Sequence, residues 1–243
     1  MTEFLSAFAW IFDPAHSIGP GGIPARVTEH VWYSLMTILI AAAIAIPIGV
    51  AIGHTGRGRS VAVQISGALR ALPTLGLVIL LALLMSLGLV PPTIALVVLA
   101  IPPILAGAYS ALESVNRATI DAARAVGMTQ WQVLFKVELP LGLPLIMGGL
   151  RSAALQVIAT WTVAGILPVG GLGRYLIDGL SVKDYAQMLA GSVLVVALAL
   201  VVDALFAVVQ KLTVPRGVSA GRQAGEIVKT PSRRNRATLS INS

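Results

Sequence analysis

An all-α, multi-pass transmembrane helical bundle of about five spans is the fold class this sequence predicts, from composition, run length and charge placement. Of 243 residues, 56% are hydrophobic and 11% charged, and the mean hydropathy is +0.88; soluble domains carry about 25% charge. The apolar residues gather into runs near the ~20 that a helix needs to cross about 30 Å of hydrocarbon. Between the runs, cation-rich and cation-poor segments alternate, the asymmetry that orients membrane proteins. A formal charge of +7 would suggest nucleic acid in a soluble chain; here most cations fall in segments of one predicted side, so no nucleic-acid partner is expected. Zero cysteines exclude disulfides and thiolate metal sites.

Residues 1–27 form an extracytoplasmic or interfacial segment. The apolar run 4–12 is too short to span and lacks the basic start of a signal peptide, so it reads as interfacial or re-entrant. Residues 13–26, with three prolines and three glycines, read as an irregular loop. The first span covers 30–53, anchored by Trp32 and Tyr33. Its Gly49 and Gly53 form a small-xxx-small pair that admits another helix, and Pro47 is expected to kink it. The following Gly53-His-Thr-Gly-Arg-Gly58-Arg59-Ser60 nearly matches a phosphate-binding loop, yet arginine replaces the lysine and a membrane span precedes it where a strand is required. Arg57, Arg59 and Arg70 instead place this side in the cytoplasm.

A second span covers 72–89 and a third 93–111, the latter holding Pro102-Pro103, a bend that serves either packing or motion. The fourth runs over 143–167. Its Ser152, Gln156 and Thr160 share one face at i, i+4 and i+8, which points either to helix–helix hydrogen bonds or to a translocation pathway. Arg151, nearby, is expected to snorkel or to pair. Residues 168–185 form an outer loop with a Gly170-Gly171-Leu172-Gly173 run, read on composition as a flexible turn. The last span, 186–210, contains Asp203, which needs a partner or water; a functional role and interfacial pairing with Lys211 both fit. The basic stretch 215–243 reads as a solvated cytoplasmic tail. This topology puts the amino terminus outside and the carboxyl terminus in the cytoplasm, in the cell membrane.

Residues 113–149 are a polar island between the third and fourth spans. Glu113, Arg117, Asp121 and Arg124 recur at helical spacing, with Glu113 and Arg117 in the favourable i,i+4 order. Leu112, Val115, Thr119, Ala122 and Val126 lie around the other side and suit a second surface. Gly127 fits a left-handed helix end, and Thr129 with Gln132 a capping box. The second short helix is expected to stop before Leu139, because Pro140 disfavours helical geometry in the residue before it.

The spacing within this island closely resembles the signature loop of binding-protein-dependent ABC importer permeases. That loop reads Glu-Ala-Ala, three residues, Gly, nine residues, Ile, one residue, Leu-Pro; here it is Asp121-Ala122-Ala123, Gly127, Val137 and Leu139-Pro140, with Asp and Val as conservative departures. The resemblance covers about 28–217. It implies a transmembrane domain of the methionine-permease type over 28–214, with a cytoplasmic coupling loop, 113–140, that docks into an ATPase. It also implies as partners cytoplasmic ABC ATPase subunits, a second permease subunit, the same or paralogous, and an extracytoplasmic substrate-binding protein. Leu72-Pro73-Thr74, the 170–180 loop and the closing stretch from Asp203 to Pro215-Arg216-Gly217 are similar to the branch that carries glycine betaine, carnitine, choline or proline betaine. Methionine or another small amino acid is the alternative cargo, and a non-transporting scaffold or channel subunit is the alternative class.

From the residues alone, neither an enzyme nor a cofactor is expected: there is no true phosphate-binding loop, and His16, His30 and His54 are scattered. Energy must come from a partner.

Overall fold

The computed structural model describes residues 2–213; the basic stretch 215–243 lies outside the described residues. Every regular element among the described residues is helical. Helix α1 (Thr2–Phe12) and a 3₁₀ turn (Pro14–His16) lead into α2 (Ile23–Thr55). The expected loop 13–26 is therefore shorter than its composition suggests, because Pro24 sits in the first turn of α2, where its missing N–H costs nothing. The span that follows has 33 residues. Pro47 lies inside it without ending it.

A second membrane element is broken. Helix α3 (Arg59–Arg70) and α4 (Thr74–Met85) meet at 84°, with Pro73 capping α4. This corrects the expected continuous span over 72–89: the 12 residues of α4 reach only about 18 Å, and a residue before proline resists the α conformation. Helix α5 (Val90–Glu113) opens with Pro91 and Pro92 in its first turn. Beyond it lie α6 (Arg117–Ala125), α7 (Gln130–Val133), a π turn (Leu134–Glu138), α8 (Leu139–Ala164), α9 (Gly173–Val182) and α10 (Tyr185–Thr213). Four helical runs (α2, α5, α7 through α8, and α10) are long and apolar enough to cross a membrane, and the bent pair makes a fifth if it is one span.

The core lies where α5 packs between α2 and α8. Leu96, Ala100 and Ile104 of α5 meet Ala41 and Ala45 of α2 and Ala153, Val157 and Trp161 of α8, all nearly or fully buried. Small residues bring the backbones together: a Cβ added at Gly49 would lie 2.5 Å from that of Ala108, and one at Gly107 2.8 Å from the Gly149 Cα. The expected small-xxx-small contact of the first span is thus made with α5.

The adjacent prolines of α5 are buried against protein. Pro103 has no N–H for the Leu99 carbonyl, one turn earlier. Gln156 Nε2 of α8 donates to that carbonyl at 3.2 Å, so the broken helical bond is replaced across the helix interface. Trp161 Nε1 adds a second polar tie, donating to Thr37 Oγ1 at 3.1 Å.

Helix α1 lies on α10, with Trp10 stacked on His16 at 3.8 Å between ring centres and edge-on to Tyr175 at 5.0 Å. Tyr175 donates from its hydroxyl to the Gly21 carbonyl at 2.7 Å. Burial pushes that hydroxyl above the ordinary tyrosine range.

Candidate functional site

The 113–140 segment projects from the end of the bundle where α5 finishes and α8 begins. Helix α5 runs through Glu113, so the expected Glu113–Arg117 pair within one helix does not form. Asn116 instead caps a new helix, accepting from the Ala118 N–H at 2.9 Å, and Glu113 pairs with Arg59 at 3.5 Å. The cap lay unread because charge spacing ran smoothly across it.

Gly127 has φ of 85°, and the Met128 N–H returns to the Ala123 carbonyl at 3.2 Å, closing α6 in a left-handed turn. Thr129 and Gln132 form the expected capping box, at 3.3 and 2.8 Å. The chain does not stop before Leu139. It passes through the π turn, whose closing bond joins the Leu139 N–H to the Leu134 carbonyl, and Pro140 falls in the first turn of α8. The wider turn absorbs a proline that a regular α-helix rejects at this depth.

Two faces result. Val115, Ile120, Ala123 and Val133 are buried together, with Met128, Val137 and Leu141 packed on them. Facing away are Thr119 and Ala122, Val126, 79% exposed, and Trp131, 72% exposed. Asp121 lies on that outer face, in a 3.9 Å contact with Arg124. Trp131 stacks on Phe135 at 6.0 Å between ring centres, and Phe135 is also exposed. Of the motif residues, Asp121 and Ala122 are thus outward, Ala123 and Val137 inward, and Gly127 open, with nothing within 4 Å of an added Cβ. Leu139 packs on a small cluster formed by Ala111, Leu112, Leu134 and Ile146. Pro140 is exposed. The apolar side expected from spacing is therefore divided, Leu112 and Val115 inward, Thr119, Ala122 and Val126 outward.

The stripe on the fourth span is also divided. Ser152 is exposed, Gln156 donates to α5 as described, and the Thr160 hydroxyl donates to its own helix, to the Gln156 carbonyl at 2.7 Å. Arg151 and Asp203 find each other: Nε to Oδ1 at 2.6 Å and Nη2 to Oδ2 at 2.7 Å join α8 to α10 as a two-pronged pair. This replaces the suggested Asp203–Lys211 pairing.

The glycine run at 170–173 is clamped by hydrogen bonds where its composition suggests a flexible turn. The Gly171 N–H donates to Glu29 Oε2 at 2.8 Å and the Leu172 N–H to His30 Nδ1 at 3.2 Å. Since Nδ1 accepts, His30 carries its proton on Nε2, which donates to the Ile158 carbonyl at 3.0 Å. Gly173 presses on the Thr162 backbone, where no side chain fits. Sequence reading did not connect Gly171 and Leu172 with Glu29 and His30, because these pairs lie 142 residues apart. It likewise missed Glu138, which is 4% exposed and accepts from His54.

Residues 22–216 match the family described as binding-protein-dependent transport system inner membrane component. The chain belongs to this family. It is a multi-pass membrane transport component. Among its relatives, the glycine betaine/carnitine/choline transport system permease protein OpuCB of Bacillus subtilis (strain 168) is 29% identical over 84% of this chain and 94% of its own. The osmoprotectant import permease protein OsmW of Salmonella typhimurium (strain LT2) is 31% identical over 82% of this chain and 94% of its own. Among solved structures, an inward-facing MetNI methionine ABC transporter aligns with a TM-score of 0.68 over 77% of this chain and 94% of that one, at 22% identity, a likeness of fold.

Proposed function

We propose that this chain is the permease subunit of an ABC importer for compatible solutes of the glycine betaine, choline and carnitine class, driven through its 113–140 loop by a partner ATPase. The exposed face of that loop is the observation that carries the reading. Trp131 and Phe135 stack on each other in the open, and Val126, Asp121 and Arg124 of the same segment are also left uncovered by the described residues; exposed apolar groups of this kind mark partner surfaces, and aromatic anchors carry most of their affinity. Arg57, Arg59, Arg117, Arg124 and Lys136 gather at the same end, which supports a cytoplasmic position for the loop and for the carboxyl-terminal end of α10. Relatives named for osmoprotectant, choline and carnitine transport align over most of the chain and support the cargo class. A second permease subunit and an extracytoplasmic binding protein complete the assembly.

With aromatics at 5%, the bundle holds few groups for an aromatic cage around a quaternary ammonium, so the binding protein selects the cargo. Within the fourth-span stripe, Gln156 and Thr160 serve packing, and Ser152 is the member available to a pathway. The deciding experiment is ATP-dependent uptake in proteoliposomes holding the chain, its ATPase and its binding protein, with labelled glycine betaine against labelled methionine. Uptake of glycine betaine alone is expected. Uptake of methionine alone transfers the chain to the amino-acid branch, and uptake that proceeds equally without ATP hydrolysis overturns the importer reading.

A further inference from the structure

We infer that His54 and Glu138 form the joint through which the 113–140 loop moves α2. The loop is covalently continuous with α5 and α8 only, so any displacement of α2 must cross a noncovalent contact. His54, in the last turn of α2, reaches the last residue of the π turn: its Nδ1 lies 2.5 Å from Glu138 Oε2. The carboxylate can only accept, so Nδ1 donates. Glu138 is 4% exposed, and a buried polar contact of this kind contributes little net stability over well-packed apolar residues of the same shape. What such a pair offers instead is direction, since a short hydrogen bond holds one geometry where an oily contact slides. The helix beside it slips into π form, a distortion common at working sites. Arg59 and Glu113, at 3.5 Å, fasten the start of α3 to the end of α5 alongside. Neither His54 nor Glu138 lies on the outer face of the loop, so they are positioning residues and not docking residues.

This inference rests on the reading of the loop as an ATPase-driven element, and its test separates the two. The full complex is reconstituted with wild type, His54→Ala, His54→Leu and His54→Lys, and three quantities are read: ATPase co-purification, ATP hydrolysed, and solute imported per ATP. The Ala and Leu variants, which carry no donor, should retain the ATPase and hydrolyse ATP at near the wild-type rate while solute per ATP falls at least tenfold. Lys, which restores an N–H donor opposite Glu138, should recover most of the ratio. An unchanged ratio in Ala and Leu overturns the joint, as does loss of the ATPase from those complexes, which would make the pair a mere brace of the docking surface. Should the Ala variant fail to reach the membrane, Lys against Leu decides: equal ratios overturn the inference. A wild-type chain that binds no ATPase overturns the functional reading itself.

Discussion

The two ends of this bundle treat their backbone in opposite ways. At the 170–173 end, the turn is closed from every side: Glu29 and His30 accept its N–H groups, and Gly173 has a neighbouring backbone where a side chain would go. At the 113–140 end, Gly127 has empty space around it, and Trp131 and Phe135 face outward. Glycine is needed at both ends for different reasons. Gly173 is required by contact within the chain, and Gly127 by its φ of 85°. The contrast separates a turn held by its own chain from a face that the described residues leave open.

Four experiments test that contrast, from the largest expected effect to the smallest. Gly173→Val should leave no folded protein in the membrane, because the new side chain collides with the Thr162 backbone; quantitative blotting of membrane fractions checks it, and wild-type levels would show that the turn can yield. Gly127→Asp should insert normally yet abolish uptake. Its strain is roughly 1–2 kcal/mol, and no atom of the described residues obstructs it, so a total loss of transport locates the obstruction in the partner; Gly127→Ala, with similar backbone strain and a much smaller side chain, should keep part of the activity. Replacing Trp131 and Phe135 together by Ala should weaken ATPase binding about tenfold or more, about 1.4 kcal/mol, with thermal stability in detergent nearly unchanged. Gln156→Leu should lower thermal stability by about 1–3 kcal/mol, the cost of a buried carbonyl left bare, and leave uptake within a few-fold of wild type. A loss of uptake with stability intact would instead return Gln156 to the pathway.

The sequence disclosed those features whose cause lies within a few residues. Gly127 and the Thr129–Gln132 box follow from local backbone rules, and both are found. The long spans follow from hydropathy. Where reading failed, the cause was remote or competing. Pro140 obeys its rule about the preceding residue only in a regular helix, and the π turn evades it. The 72–89 run is apolar nearly throughout, so hydropathy could not register that its helix stops at Met85, with Ser86 at a φ of 83°. Asp203 was read against Lys211 on its own helix, whereas its partner stands 52 residues away on α8. The Gly170–Gly173 run was judged by composition, and what holds it is the start of α2. The outward position of Val126 could not be separated from the inward position of Val115 by period alone, because the helix restarts at Asn116.

The π turn carries a consequence for the whole of α8. One surplus residue in a helix advances its phase by about 100°, so the orientation of everything downstream depends on this single insertion. Deleting any one residue from 134–138 would rotate Gln156 away from the Leu99 carbonyl, Trp161 away from Thr37 and Arg151 away from Asp203 in one step. The turn thus works as an angular setting screw, cut at the foot of α8, that aims the 26 residues of the helix beyond it.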